Sequence, residues 1–272
     1  MKIEKILFAL LMAVTIFVSC DKEDDLLLNP ETGTVVDCQG NSYSTVKIGN
    51  QWWMAENLRC TQYDTESERQ PTLPATEIVI TASTRASGLN YGPSYVDVRN
   101  SVTPYSDNLT SEQRSKLGFL YTWAAAVGES SASNAQSRTA DYTAPRQGIC
   151  PNGWHVPTDA EWTVLIDYLG SHEKAGKTMK TSTGWYKGED YVAGSNNSGF
   201  SILPSGYDLG TSTDTGTDKQ PDTYGIGFDA NFWSASANAW YRGFTCNSDE
   251  VKRWPYAKFT YFSVRCVKNT DE

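Results

Sequence analysis

The groups that could do chemistry in this chain are few. It has two histidines, His155 and His172, and six cysteines with no C-x-x-C spacing among them. A zinc site is therefore not expected. His155 stands just before a capped helix with no nucleophile motif beside it and reads as a structural histidine. No G-x-S-x-G, metal-histidine pair or P-loop occurs. Carboxylates are plentiful, but no pair is marked out for glycoside hydrolysis. What stands out is the aromatic content, 15 tyrosines and 9 tryptophans. Trp233, Trp240, Tyr241 and Trp254 have the apolar faces that stack on sugar rings; core packing is the competing job, above all for Trp233 and Trp240. Trp240, Tyr241 and Trp254 are kept as candidate ligand contacts. No metal and no cofactor is expected.

The N-terminus carries a different chemistry. Lys2 and Lys5 precede an apolar run, Ile6 to Val18, broken only by Thr15. The run is too short to span a bilayer as a helix and has the layout of a secretory signal peptide, residues 1–19. Phe17-Val18-Ser19-Cys20 resembles a bacterial lipobox, which makes Cys20 the acylated mature N-terminus, bearing palmitate-type chains. Asp21-Lys22-Glu23-Asp24-Asp25 opens an acidic, solvated tether over 20–33. It resembles the acidic signal behind the lipid cysteine of surface-exposed lipoproteins. Without Lys2, Lys5 and Glu4 the chain holds 21 basic and 31 acidic residues, a net charge of −10. That balance argues against nucleic acid and against electrostatic binding to anionic lipid.

The elements that must position these residues can be read from spacing. Asp37 to Leu58 reads as a hairpin: Val46 and Ile48 alternate with polar neighbours, Gly49-Asn50 suits a two-residue II′ turn, and Trp52, Trp53 and Met54 return into the core. Residues 64–117, rich in Ser, Thr, Pro and Asn, read as a surface excursion in which Thr110 to Gln113 suits a helix cap. Phe119, Leu120, Trp123, Ala124 and Val127 recur near helical spacing up to Gly128, predicting a first buried helix. Thr158 and Glu161 form a capping box, and Trp162, Leu165, Ile166 and Leu169 fall on one stripe, predicting a second helix that stops at Gly170. From Gly184 onward short strands are expected: Phe200 to Gly206, Asn231 to Ser236, Ala239 to Cys246 and Thr260 to Val267. The last should set Phe262, Val264 and Cys266 on one face and Ser263 and Arg265 on the other. Asp208 to Tyr224 reads as a polar loop.

Five pieces in order resemble the Fibrobacter succinogenes major paralogous domain (FISUMP). They are Gly40-Asn41, Tyr43, Thr45-Val46-Lys47-Ile48-Gly49, Gln51 and Trp53-Met54-Ala55-Glu56-Asn57-Leu58; Leu120-Tyr121-Thr122-Trp123-Ala124-Ala125-Ala126; Cys150-Pro151, Gly153-Trp154-His155-Val156-Pro157-Thr158; Phe232-Trp233-Ser234-Ala235-Ser236; and Phe262-Ser263-Val264-Arg265-Cys266-Val267. The resemblance covers one domain over 34–269. Val156 to Trp162 is also similar to an element of formylglycine-generating-type domains. That likeness implies an α+β, C-type-lectin-like fold: two helices around a small, irregular, mostly antiparallel sheet with long loops. On that scaffold a disulfide from the start of the second helix to the last strand is expected, and Cys150 and Cys266 occupy those places. Cys38 and Cys60 flank the hairpin and are a candidate second bridge, leaving Cys246 as a packed thiol beside Phe244. Copper-dependent oxidation on the related fold needs two free late cysteines, which the Cys266 bridge removes. Gln220-Pro221-Asp222 resembles a calcium- and sugar-binding tripeptide of some C-type lectins, although its Trp-Asn-Asp companion is absent; Asp222 is a candidate ligand contact on that basis.

These observations favour a non-enzymatic, surface-exposed lipoprotein of the outer membrane, held only by its lipid anchor. Its folded part reads as a binding or adhesion module for carbohydrate or another surface protein. A structural or fimbria-associated component and an enzyme such as a glycosidase are the alternatives. Cys20→Ala should move the protein from the membrane fraction to the soluble fraction. Retention of this variant on membranes after a salt wash would refute the anchor.

Overall fold

Strands β2 (Ser42–Ile48) and β3 (Gln51–Met54) pair antiparallel, with Ile48 opposite Gln51, so Gly49 and Asn50 form the turn. Gly49 takes φ +57°, as the first position of a II′ turn demands. Val46 and Ile48 are buried, as the alternation predicts, and Tyr43, Trp53 and Met54 are buried with them. The computed structural model describes residues 30–64, 81–82, 93–101, 103–129, 145–210 and 223–270. Cys20, the tether's start and Asp222 lie outside the described residues.

Two sheets are built from the described residues. The first has the order β1-β2-β3-β14-β7, where β1 is Thr32–Val36, β7 is Trp154–His155 and β14 is Val267–Lys268. The second runs β12-β11-β10-β13-β6-β5-β4, with β8 beside β10 and β9 beside β8. Its strands are β4 (Thr81–Ala82), β5 (Ser94–Asp97), β6 (Phe119–Tyr121), β8 (Ser205–Asp208), β9 (Thr223–Ile226), β10 (Asp229–Trp233), β11 (Trp240–Thr245), β12 (Lys252–Pro255) and β13 (Phe262–Ser263). Pairing is antiparallel except for β10 with β13, β10 with β8, and β4 with β5. The helices are short: α1 (Ser111–Ser115), α2 (Trp123–Val127), α3 (Asp159–Tyr168) and α4 (Ala175–Met179). The class is α+β, dominated by sheet.

The longest helix begins where its capping box lies. Thr158 Oγ1 accepts from the Glu161 amide, and the Glu161 carboxylate accepts from the Thr158 amide and hydroxyl, each at 2.8 Å. Trp162, Leu165, Ile166 and Leu169 are buried and pack with Val46, Ile48, Trp53, Phe200, Phe232 and Phe244. Thr110 and Gln113 form a second capping box at α1.

Three expectations need correction. The first helix is shorter than its apolar spacing predicts: Phe119 to Tyr121 is the strand β6, and α2 starts only after Thr122, whose hydroxyl accepts from the Ala125 amide. A fully apolar run has no period that separates strand from helix, and the cap decides the boundary. The stretch 64–117 is not wholly peripheral. Within it, β5 pairs with β6, and Val96, Val98, Leu109 and Leu117 are buried. Finally, Thr260 to Val267 is not one strand. It splits into β13 in the second sheet and β14 in the first, and Ser263 and Arg265 are as buried as Phe262 and Val264. A segment that crosses between two sheets has no solvent face to offer.

Thr158→Ala removes an N-cap acceptor and should cost about 1 kcal/mol in urea unfolding. A change near zero would show that the capping box carries no stability.

Candidate functional site

The β10–β11 hairpin fixes which residues share a face. Asp229 pairs with Thr245, Asn231 with Gly243 and Trp233 with Tyr241. Across the next ladder Tyr241 meets Trp254 and Gly243 meets Lys252. Opposed residues point the same way, so Asp229, Asn231, Trp233, Tyr241, Thr245, Lys252 and Trp254 all project from one face. On the other side of β10, Ala230 pairs with Gly206, which puts Tyr207 on that face too, and Tyr207 opposes Tyr224. The reverse face carries Ala230, Phe232 and Phe244 into the core beside α3.

A cleft of about 160 Å³ opens on the first face, lined by Tyr207, Asp229, Asn231, Tyr241, Lys252 and Tyr256, with Thr245 and Phe262 completing it. Phe262 is buried and is ringed by Tyr241 at 4.9 Å, Tyr256 at 5.5 Å and Tyr207 at 6.4 Å between centroids. Gly243 keeps the cleft open: a Cβ there would come within 2.9 Å of both Asn231 Oδ1 and Tyr241 Cε2. Among the described residues, three of the seven exposed large hydrophobic side chains flank this one feature, Tyr224 at 46%, Trp254 at 63% and Tyr256 at 41%. Tyr224 stacks on Tyr207 at 5.8 Å.

The polar lining is uncommitted. Among the described residues, no side-chain hydrogen bond is made by Asp229, Asn231 or Lys252, or by the hydroxyls of Tyr207, Tyr241 and Tyr256. Lys252 and Tyr256 are exposed, and Tyr207, Asp229 and Tyr241 half-buried, so these groups are open to solvent and to a ligand. Burial pushes the Asp229 carboxyl up to about 6, with the Lys252 charge opposing that rise. Burial also raises the Tyr207 and Tyr241 phenols.

Several buried charged groups elsewhere have protein partners. His155 bonds Asn269 through Nδ1 and Glu161 through Nε2, each at 2.7 Å. It ties β7 to the capping box, the structural role its position suggests. Burial alone would raise the Glu161 carboxyl, but donors from His155 and Thr158 outweigh it and hold the group below its usual range. Asp159 is held low in the same way: burial is outweighed by Arg253 and Arg242. Lys180, 1% exposed, donates to the carbonyls of Val192, Thr245 and Ser248.

The sequence candidates divide. Tyr241 lines the cleft and Trp254 stands at its rim. Trp240 does not join them. It faces the opposite side of β11, half-buried beneath the Arg253 guanidinium at 3.9 Å, because neighbours in a strand alternate. Trp233 is core, as expected. Asp229, Asn231, Tyr207, Tyr256 and Lys252 were not singled out from sequence; their signal lay in the register of β10 against β11, which alternation alone does not give. Among the described residues no three His, Cys, Asp or Glu side chains converge as metal ligands, and no helix is long and apolar enough to cross a membrane.

Of the cysteines, Cys150 and Cys266 are bridged, with Cα atoms 5.8 Å apart. Cys246 is a buried free thiol in the cluster that holds Phe244 and Val251. The second bridge is a correction. Cys38 and Cys60 are free, their sulfurs 3.8 Å apart, against roughly 2.05 Å for a bond. Burial pushes both thiols up in pKa, Cys60 the more strongly, which disfavours the reactive thiolate.

The chain matches the family model of the Fibrobacter succinogenes major domain over residues 46–268. It belongs to that family. No curated protein and no solved structure matches it.

On mild oxidation Cys38 and Cys60 should be the next pair to join, since they already touch. Non-reducing peptide mapping checks this. Finding Cys246 crosslinked in their place would contradict the packing described.

Proposed function

We propose that this protein is an exported, lipid-anchored cell-surface module that binds glycans without processing them, on a scaffold of C-type-lectin-like kind. The observation that carries the reading is the cleft beside β10 and β11. Aromatic rings supply flat apolar faces, and an acid, an amide, an ammonium and three phenol hydroxyls stand among them without side-chain hydrogen bonds among the described residues. That mixture matches a sugar, which has apolar C–H faces and a rim of hydroxyls that donate and accept. Binding sites of this kind are concave and pre-formed, with few polar groups fixing orientation. Hydrolysis needs two carboxyl groups across the scissile bond, and the cleft lining supplies one, Asp229. The lipobox at Cys20 and the acidic tether support display at the outer surface.

A glycan array probed with the soluble Cys20→Ala protein tests this. Specific binding should appear and should fall at least tenfold in Gly243→Ala, whose added methyl crowds Asn231 and Tyr241, while the melting curve stays cooperative. Absence of any specific glycan signal from the parent protein would remove the proposal.

A further inference from the structure

The cleft is the centre of a longer feature. On the cleft face, Tyr224 on β9, Tyr207 on β8, Asn231 on β10, Gly243 on β11 and Lys252 on β12 share one level of a row across five strands, with Asp229 one same-face position to one side and Tyr241 with Trp254 one to the other. Strands lie about 4.8 Å apart, so Tyr224 and Trp254, four steps apart, stand roughly 19 Å from each other. Both ends of the row are exposed aromatic rings and its middle is a polar recess. The recess is smaller than the roughly 300–1,000 Å³ of sites for drug-sized ligands, and suits one ring-sized unit.

Resting on the glycan-binding reading, we infer that the row is a set of subsites for an uncharged oligosaccharide lying across the strands, with one sugar in the recess donating adjacent hydroxyls to Asp229 and its neighbours stacked toward Tyr224 and Trp254. The recess sets one acid, Asp229, beside one base, Lys252, so its charges cancel and give neither an acidic nor an amino sugar a net attraction. A neutral ring satisfies both, donating to the carboxylate and accepting from the ammonium and from the Asn231 amide. Asp229 has no side-chain donor among the described residues and is half-buried, so the ligand's hydroxyls would take the places that solvent otherwise fills on its carboxylate.

A pH dependence follows. The groups facing Asp229 are Lys252 from β12, Tyr207 from β8, Tyr241 from β11 and Tyr256 from the segment after β12. Cys246, which follows β11, feels its charge, and Gly225 of β9 closes over its Oδ2. Of these, Asp229 is the one pushed into the physiological range, at about 6. Hydroxyl donors favour the charged carboxylate, so binding should be full above about pH 7 and weaken as pH falls through 6.

The experiment is calorimetric titration of the Cys20→Ala protein with neutral oligosaccharides of glucose, mannose, xylose and N-acetylglucosamine, one to six units long. Affinity should rise with length and then level off. Trp254→Ala should lower affinity for the longer chains at least fivefold and leave the shortest binder unchanged. Asp229→Asn should weaken all lengths at least tenfold and abolish the pH dependence. A wild-type series with no length dependence, binding indifferent to Trp254, or affinity unchanged between pH 5 and 8 would overturn the inference. If the array finds only sialylated, sulfated or uronate glycans, the glycan-binding reading stands and the uncharged ligand is wrong. No array signal at all removes both.

Discussion

Arg265 is held in the middle of this protein by neutral partners, and much of the architecture is arranged to allow it. It is 1% exposed. Its Nε donates to Asn57 Oδ1, its other nitrogens donate to the carbonyls of Phe200 and Ser201, and its Cζ lies 4.6 Å from the centroid of the Phe200 ring. Burial pulls it down to about 9, with only the Glu56 charge opposing. The other buried cations have acids: Arg242 bonds Asp159, and Lys180 lies 3.6 Å from Asp249. A buried charge without a counter-ion is costly unless its donors are met. Arg265 therefore demands that Asn57, Phe200 and Ser201 stay where they are. Asn57 in turn donates to the Leu117 carbonyl and to Ser263 Oγ, which bonds Ser205 of β8. One side chain thus ties the segment after β3, the turn before β8 and the closing strands into a single network.

The neighbouring residue completes the tie covalently. Cys266 is bridged to Cys150, ahead of α3. Its carbonyl accepts from Met54, as that of Val264 does from Leu58. Between β13 and β14 the chain leaves one sheet and enters the other, and these contacts fix the crossing. Phe262, the first residue of β13, is the floor of the cleft. The rigidity of that floor comes from the core behind it, so the rings over it can be set in place before a ligand arrives.

Much of this could be read from residue types. Caps are local, so Thr158 with Glu161 and Thr110 with Gln113 announced two helix starts. Gly49-Asn50 announced a hairpin, and spaced motifs announced the family. The cleft was harder to see because no local signal encodes it. Tyr207, Asp229, Tyr241 and Tyr256 are neighbours only after β8 lies beside β10 and β11 pairs in one register. A shift of one residue would have sent Trp240 to the cleft and Tyr241 to the core. Alternation sets Arg265 on the face opposite Val264, but a period of two assumes a strand within one sheet, and here the chain changes sheets around that residue and buries both.

The Arg265–Cys266 crossing makes both sheets one cooperative unit, on which the cleft depends. Native-state hydrogen exchange tests it most directly, comparing amides of β3 in the first sheet with amides of β10 in the second, before and after reduction of the disulfide. Equal opening free energies are expected, falling together by a comparable amount on reduction, since the bridge closes a loop worth about 4–5 kcal/mol of unfolded-state entropy. Opening of the first sheet at a much lower free energy, with β10 still protected, would contradict it.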